Sequence, residues 1–126
     1  MSSQKFFTCN RCGNMAGLMV NKGGVLACCG EKMSEILPNT VDASQEKHVP
    51  AVTKTENGIT VRVGSAAHPM EAGHFIAFVY VSAKNGGYMK KIDIGKEPVA
   101  EFLFVGDEPV TVYAFCNLHG LWKCDL

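Results

Sequence analysis

With 126 residues the chain can form one ordinary domain and at most a small second lobe, and its twelve basic and twelve acidic side chains cancel. A balanced surface lacks the one-sided positive field that nucleic-acid or anionic-membrane binding requires, so neither is expected as a partner. The opening Met-Ser-Ser-Gln-Lys-Phe-Phe-Thr-Cys holds no signal-like apolar run, and no later segment approaches the ~18 apolar residues of a membrane span, which points to a soluble, cytoplasmic protein.

Residues 1–37 read as a separate small unit. Lys5 to Cys9, Gly17 to Asn21 and Val25 to Cys28 are short apolar runs separated by Gly13 and Gly23-Gly24. A domain below ~40 residues buries too little surface to be stable unaided and usually relies on disulfides, metals or oligomerisation. Residues 38–50 show no periodicity and read as a linker whose far end, Glu46-Lys47-His48-Val49-Pro50, enters the next domain. From Ala51 onward strand signals recur. Ile59, Val61 and Val63 alternate with Thr60 and Arg62 as in a half-buried strand, while Phe75 to Val81 is apolar on both faces and suits a central one. Asn85-Gly86-Gly87 is a turn, and Tyr88 to Ile94, Val99 to Val105 and Val110 to Phe115 follow as strands. No sustained helical period occurs, so residues 51–126 are expected to form an all-β, antiparallel sandwich.

The metal-binding residue types are sorted along this plan. Cys9, Cys12, Cys28 and Cys29 precede every histidine, whereas His48, His68, His74 and His119 lie beyond them with Cys116 and Cys124. In a reducing compartment such cysteines serve more often as metal ligands than as disulfides, which are the alternative reading. In Cys9-x-x-Cys12-Gly13 the two-residue gap lets both thiolates face one ion, and glycine permits a turn that aims N–H groups at sulfur. Because Cys28 and Cys29 are adjacent, a distorted tetrahedron is expected. Zinc and iron both accept four thiolates, so the spacing leaves this metal open.

The histidines sit at strand ends and turns, where functional residues gather. If all four imidazoles and Cys116 hold one ion, the five ligands exceed the four of structural zinc and favour a metal with a higher coordination number and a sixth position free. Iron fits that set: neutral imidazoles and one thiolate leave the ferrous ion at a net single positive charge, suited to a small anion, with the thiolate pushing electron density toward it. A blue-copper site would need only two of the four histidines.

Cys9-x-x-Cys12 with vicinal Cys28-Cys29, Glu46-Lys47-His48-Val49-Pro50, His68-Pro69-Met70-Glu71 before His74, and Cys116-Asn117-x-His119-Gly120-x-Trp122 together resemble desulfoferrodoxin, the two-iron superoxide reductase family, over nearly the whole chain. The resemblance implies a desulforedoxin-like lobe binding iron through the four cysteines and an immunoglobulin-like sandwich carrying a second mononuclear iron. It implies one-electron reduction of superoxide to hydrogen peroxide, a homodimer, and an electron donor such as rubredoxin. His48, His68, His74 and His119 match the equatorial ligands, Cys116 the axial thiolate, and Glu46 and Lys47 the mobile pair beside the open position. An ammonium there raises the local potential and orders water for protonation, and a carboxylate caps ferric iron after product leaves; the plain alternative is a solvated charge pair. Two features depart from the family pattern. Ala72-Gly73 replaces a charged pair and is expected to loosen the loop before His74, and Cys124 is extra. The rival function is a non-catalytic electron carrier or metal-dependent redox sensor.

Overall fold

The structure, a computed structural model, describes residues 4–126. The chain forms two compact units, one ending at Leu37 and the other running Pro38–Leu126.

In the first unit β1 (Phe6–Thr8) lies between β2 (Met15–Gly17) and β5 (Ser34–Ile36) in an antiparallel sheet, and β3 (Ala27–Cys28) pairs with β4 (Glu31–Lys32) as a two-stranded ribbon. Only Phe6, Cys9 and Met33 are buried among its described residues. The apolar run Gly17 to Asn21 does not become a strand: only Gly17 pairs, and Met19 is 98% exposed. Apolar character yields a strand where a facing surface takes it up, and this unit offers Met19 none.

The second unit begins with a single helical turn, α1 (Gln45–His48), and continues through seven strands. These are β6 (Pro50–Lys54), β7 (Gly58–Val63), β8 (Ile76–Ala83), β9 (Gly87–Lys91), β10 (Val99–Leu103), β11 (Pro109–Cys116) and β12 (Gly120–Asp125). They form sheets of order β10-β7-β6 and β12-β11-β8-β9, antiparallel throughout, the strand count of an immunoglobulin-like sandwich. The alternation read in residues 59–63 is realised: Ile59, Val61 and Val63 are buried, Thr60 half-buried and Arg62 exposed. β8 is central, between β11 and β9, and Ile76, Val79 and Val81 join Val112, Ala114 and Cys116 in one core with the β7 residues.

Topology gathers the functional loops. Pro50 pairs with Val63 and Ile76 with Cys116, so the start of β6, the end of β7, the start of β8 and the end of β11 mark one pole of the sandwich. The crossover from β7 to β8 carries His68 and His74 over that pole; the β11–β12 hairpin turn brings Cys116 and His119 to it. α1 is held there by its main chain: the Glu46 carbonyl accepts from the Ala66 N–H at 2.9 Å and from the Ser65 hydroxyl at 3.2 Å. Gly64 makes the approach possible, because a Cβ at that position would lie 2.5 Å from the Glu46 carbonyl oxygen. No helix among the described residues is long and apolar enough to cross a membrane.

Candidate metal centres

The sulfur atoms of Cys9, Cys12, Cys28 and Cys29 converge within 4.8 Å of one another, and none forms a disulfide. The knuckle has the expected form. Gly13, at φ +80°, closes the turn with its N–H on the Cys9 carbonyl; the Cys12 N–H donates to Cys9 Sγ and the Asn14 N–H to Cys12 Sγ, each at 3.4 Å. The edges Cys12–Cys28 and Cys28–Cys29 measure 3.6 and 3.9 Å, bracketing the ~3.8 Å edge of a tetrahedron with metal–sulfur bonds of about 2.3 Å. On those edges the expected distortion is absent from the sulfurs. Cys29 itself adopts the left-handed conformation, at φ 53°. Donation from the Cys12 and then the Arg11 backbone lowers the Cys9 thiol to about 6, while hydrogen bonding with the Cys12 sulfur first of all raises Cys28 and pushes Cys29 up to about 12. The four sulfurs form a compact cluster of the kind that holds a thiophilic cation.

At the pole of the sandwich, ligand atoms of His48, His68, His74 and Cys116 also lie within 4.8 Å of one another. His119 closes the group, its Nδ1 3.1 Å from His48 Nε2 and 3.8 Å from Cys116 Sγ. His48 Nδ1–H donates to the Ser44 carbonyl at 2.6 Å and His68 Nδ1–H to the Pro69 carbonyl at 2.7 Å. A carbonyl only accepts, so each neutral ring turns an Nε2 lone pair inward. Those two nitrogens face each other at 3.2 Å with no proton to share, and the buried His74 Nε2 has no hydrogen-bond partner. A buried polar atom such as His74 Nε2 seldom remains unsatisfied, and one cation would take up its lone pair together with those of His48 and His68. Burial lowers the pKa of both His48 and His68, the latter to about 4, which keeps these rings neutral and ready to ligate. Trp122 braces the cluster: its ring stacks on His48 at 4.9 Å and its Nε1–H donates to the His119 carbonyl at 3.0 Å.

Every residue proposed from sequence for this site reaches the same pole. Glu46 and Lys47 are exposed on α1, one turn that ends in the buried His48. Cys124 is half-buried on β12, its Sγ 3.6 Å from the Asp125 carbonyl, and belongs to neither cluster. Across the Ala72-Gly73 turn, Glu71 and His74 exchange N–H···O bonds of 2.9 and 3.1 Å. Sequence reasoning missed the bracing roles of Ser44, Pro69 and Trp122, although Pro69 and Trp122 stand in the motifs that carry the family resemblance.

Fold and clusters define a two-centre metalloprotein: a tetrathiolate site in a small β lobe, and a four-histidine, one-cysteine site at the end of a β-sandwich. Comparison with known proteins agrees. The desulfoferrodoxin family model matches residues 40–125. A desulfoferrodoxin of Syntrophotalea carbinolica is 43% identical over 119 residues, covering 94% of each chain. Among solved structures, the superoxide reductase of Treponema pallidum superposes with a TM-score of 0.83 at 32% identity, over 98% of this chain and all of its own. A superoxide reductase (1Fe-SOR) of Giardia intestinalis gives 0.55 at 29% identity, over 64% of this chain and 99% of that one. The chain belongs to the desulfoferrodoxin family. Both clusters fit iron, as two mononuclear sites.

Proposed function

We propose that this protein is a superoxide reductase, an oxidoreductase that adds one electron and two protons to superoxide to give hydrogen peroxide, with no dioxygen formed. The observation that carries the reading is the set of buried imidazole lone pairs and one buried thiol converging at a pole where α1 leaves Glu46 and Lys47 in solvent. His48, His68, His74, His119 and Cys116 would hold the iron, which would supply the one electron of the reduction. As metal ligands the four imidazoles would contribute no charge, so the five ligands would carry only that of the Cys116 thiolate and leave the centre attractive to a small anion. Lys47 raises the positive potential on the approach and orders the water that delivers protons; Glu46 would provide a carboxylate able to cap the oxidised metal.

Residues 1–37 serve in this reading as a desulforedoxin-like lobe whose iron stands outside the reaction, residues 38–50 present Glu46, Lys47 and His48, and residues 51–126 carry the rest of the centre. The Giardia relative, described as a one-iron enzyme, supports confining the reduction to the histidine site. The donor is a one-electron carrier of the rubredoxin kind, and the protein works as a homodimer, as the family resemblance implies. Rapid mixing of the ferrous protein with superoxide tests the function: the histidine-site spectrum should change within the mixing experiment and return on adding reductant, cycle after cycle. A site that accepts electrons from its donor yet ignores superoxide would make the protein a carrier or sensor instead.

A further inference from the structure

Asn117 stands between two metal-binding side chains in sequence and is no ligand itself, yet it makes three hydrogen bonds to the segment that presents a third. Its Oδ1 accepts from the Phe75 N–H at 2.8 Å, its Nδ2–H donates to the Gly73 carbonyl at 3.1 Å, and its own backbone N–H donates to the Phe75 carbonyl at 3.2 Å. Gly73 and Phe75 flank His74, so the three bonds grip its main chain on both sides.

The need for such a grip follows from the ladder beside it. β11 and β8 pair one-to-one from Thr111↔Ser82 to Phe115↔Phe78, but the next pair is Cys116↔Ile76, which leaves Ala77 without a partner on β11. A bulge of this kind leaves one residue unpaired, bends its strand and disrupts the ladder locally. Here the disruption falls between the core of the sheet and the two ligands that β11 and β8 deliver. Asn117 resumes the pairing beyond the bulge: Asn117 and Phe75 exchange hydrogen bonds as an antiparallel pair would, with the side-chain Oδ1 standing in for a main-chain carbonyl. His48 and His68 are oriented at the ring by carbonyls on Nδ1, whereas His74 is oriented through its backbone, by Glu71 on one side and Asn117 on the other. A Cβ at Gly73 would meet nothing within 4 Å, so the turn before His74 gets no packing there and depends on hydrogen bonds for its position.

We infer that Asn117 is a positioning residue that fixes the spacing between Cys116 and His74 across the β11–β8 bulge, so that ligands from two strands meet one ion. The inference rests on the reading of Cys116 and His74 as ligands of the catalytic iron. Removing the partners that orient metal ligands costs about 10–100-fold in metal affinity in other sites. The test measures iron release from the fully loaded protein into an excess of ferrous chelator, following each centre by its own absorption, together with amide hydrogen exchange at Phe75. Asn117→Ala should release histidine-site iron roughly 10–100-fold faster and expose the Phe75 amide, with the sulfur-site rate and the melting temperature of the sandwich little changed. Asn117→Asp keeps the acceptor for Phe75 but loses the donor to Gly73, so its release should fall between the parent and the alanine variant, with Phe75 still protected. Parental release and a protected Phe75 amide in Asn117→Ala would overturn the proposal, as would acceleration at both centres alike with a lowered melting temperature. His74→Ala separates the two readings: should it also release iron at the parental rate, the assignment of His74 as a ligand fails; should it release faster while Asn117→Ala does not, only the role of Asn117 fails.

Discussion

Cys9 and Cys28 lie 19 positions apart, whereas His48 and His119 lie 71 apart, and this difference governs how each centre is held together. The sulfur centre is made by two local turns in a lobe whose described residues bury only Phe6, Cys9 and Met33. The histidine centre is made by an α turn, a crossover and a hairpin turn fastened to a core in which Val61, Val63, Ile76, Val79, Val81, Val112 and Ala114 are wholly buried. In the first case a bound metal is expected to organise the chain. In the second the chain organises the metal.

The largest expected effect separates these two modes. Tetrathiolate binding contributes on the order of 10 kcal/mol to small metal-dependent folds, more than a lobe with so slight a core supplies. Substituting Cys28 or Cys29 by Ser, or stripping the sulfur-site metal, should erase amide protection through Leu37 while β6–β12 keep theirs. Protection surviving in β1, β2 and β5 would show that this lobe folds without its metal.

At the histidine centre the losses should be functional with the fold retained. Cys116→Ser removes the one charged ligand; the thiolate-to-iron charge-transfer band should vanish and superoxide reduction should fall by at least ~100-fold, more than loss of a ligand's orienting partner costs. Circular dichroism should still report the sandwich. A variant that keeps band and activity would refute the role of Cys116 as a ligand. Trp122→Phe is subtler, preserving a ring against His48 while stranding the His119 carbonyl, at a cost of about 1–3 kcal/mol of stability. Denaturant unfolding would measure it, and unchanged stability would mean that the carbonyl finds another donor.

The smallest effects belong to the exposed pair. Lys47→Ala should slow the second-order reaction with superoxide by no more than about tenfold, the lower end of what electrostatic steering supplies, and flatten its dependence on ionic strength. Glu46→Ala should leave that rate alone and ease binding of added anions such as cyanide to the oxidised centre. Equal rates and salt slopes in Lys47→Ala and parent would leave Lys47 a solvated charge.

The same contrast explains what could be read from the sequence. Local rules sufficed for the Cys9–Cys12 knuckle, for the alternation at Ile59, Val61 and Val63, and for the central character of β8. β12 escaped because Leu121 and Trp122 are adjacent and both buried, which breaks the two-residue period, and β6 because Pro50-Ala-Val-Thr-Lys mixes apolar and polar residues without a clear face. The histidines were legible as residue types and, through the family motifs, as a set. Their convergence depends on the order in which strands change sheets, which no local pattern carries. The Asn117 bonds to Gly73 and Phe75 join positions more than 40 apart for the same reason.

Product stoichiometry in a variant with an emptied sulfur site, Cys28→Ser, and an iron-loaded histidine site tests the central claim most directly. Supplied with superoxide and a one-electron donor, it should form one hydrogen peroxide per superoxide consumed and release no dioxygen. Dioxygen at half the superoxide consumed would make the chemistry dismutation, and loss of turnover with the histidine-site iron intact would contradict the division of labour between the two centres.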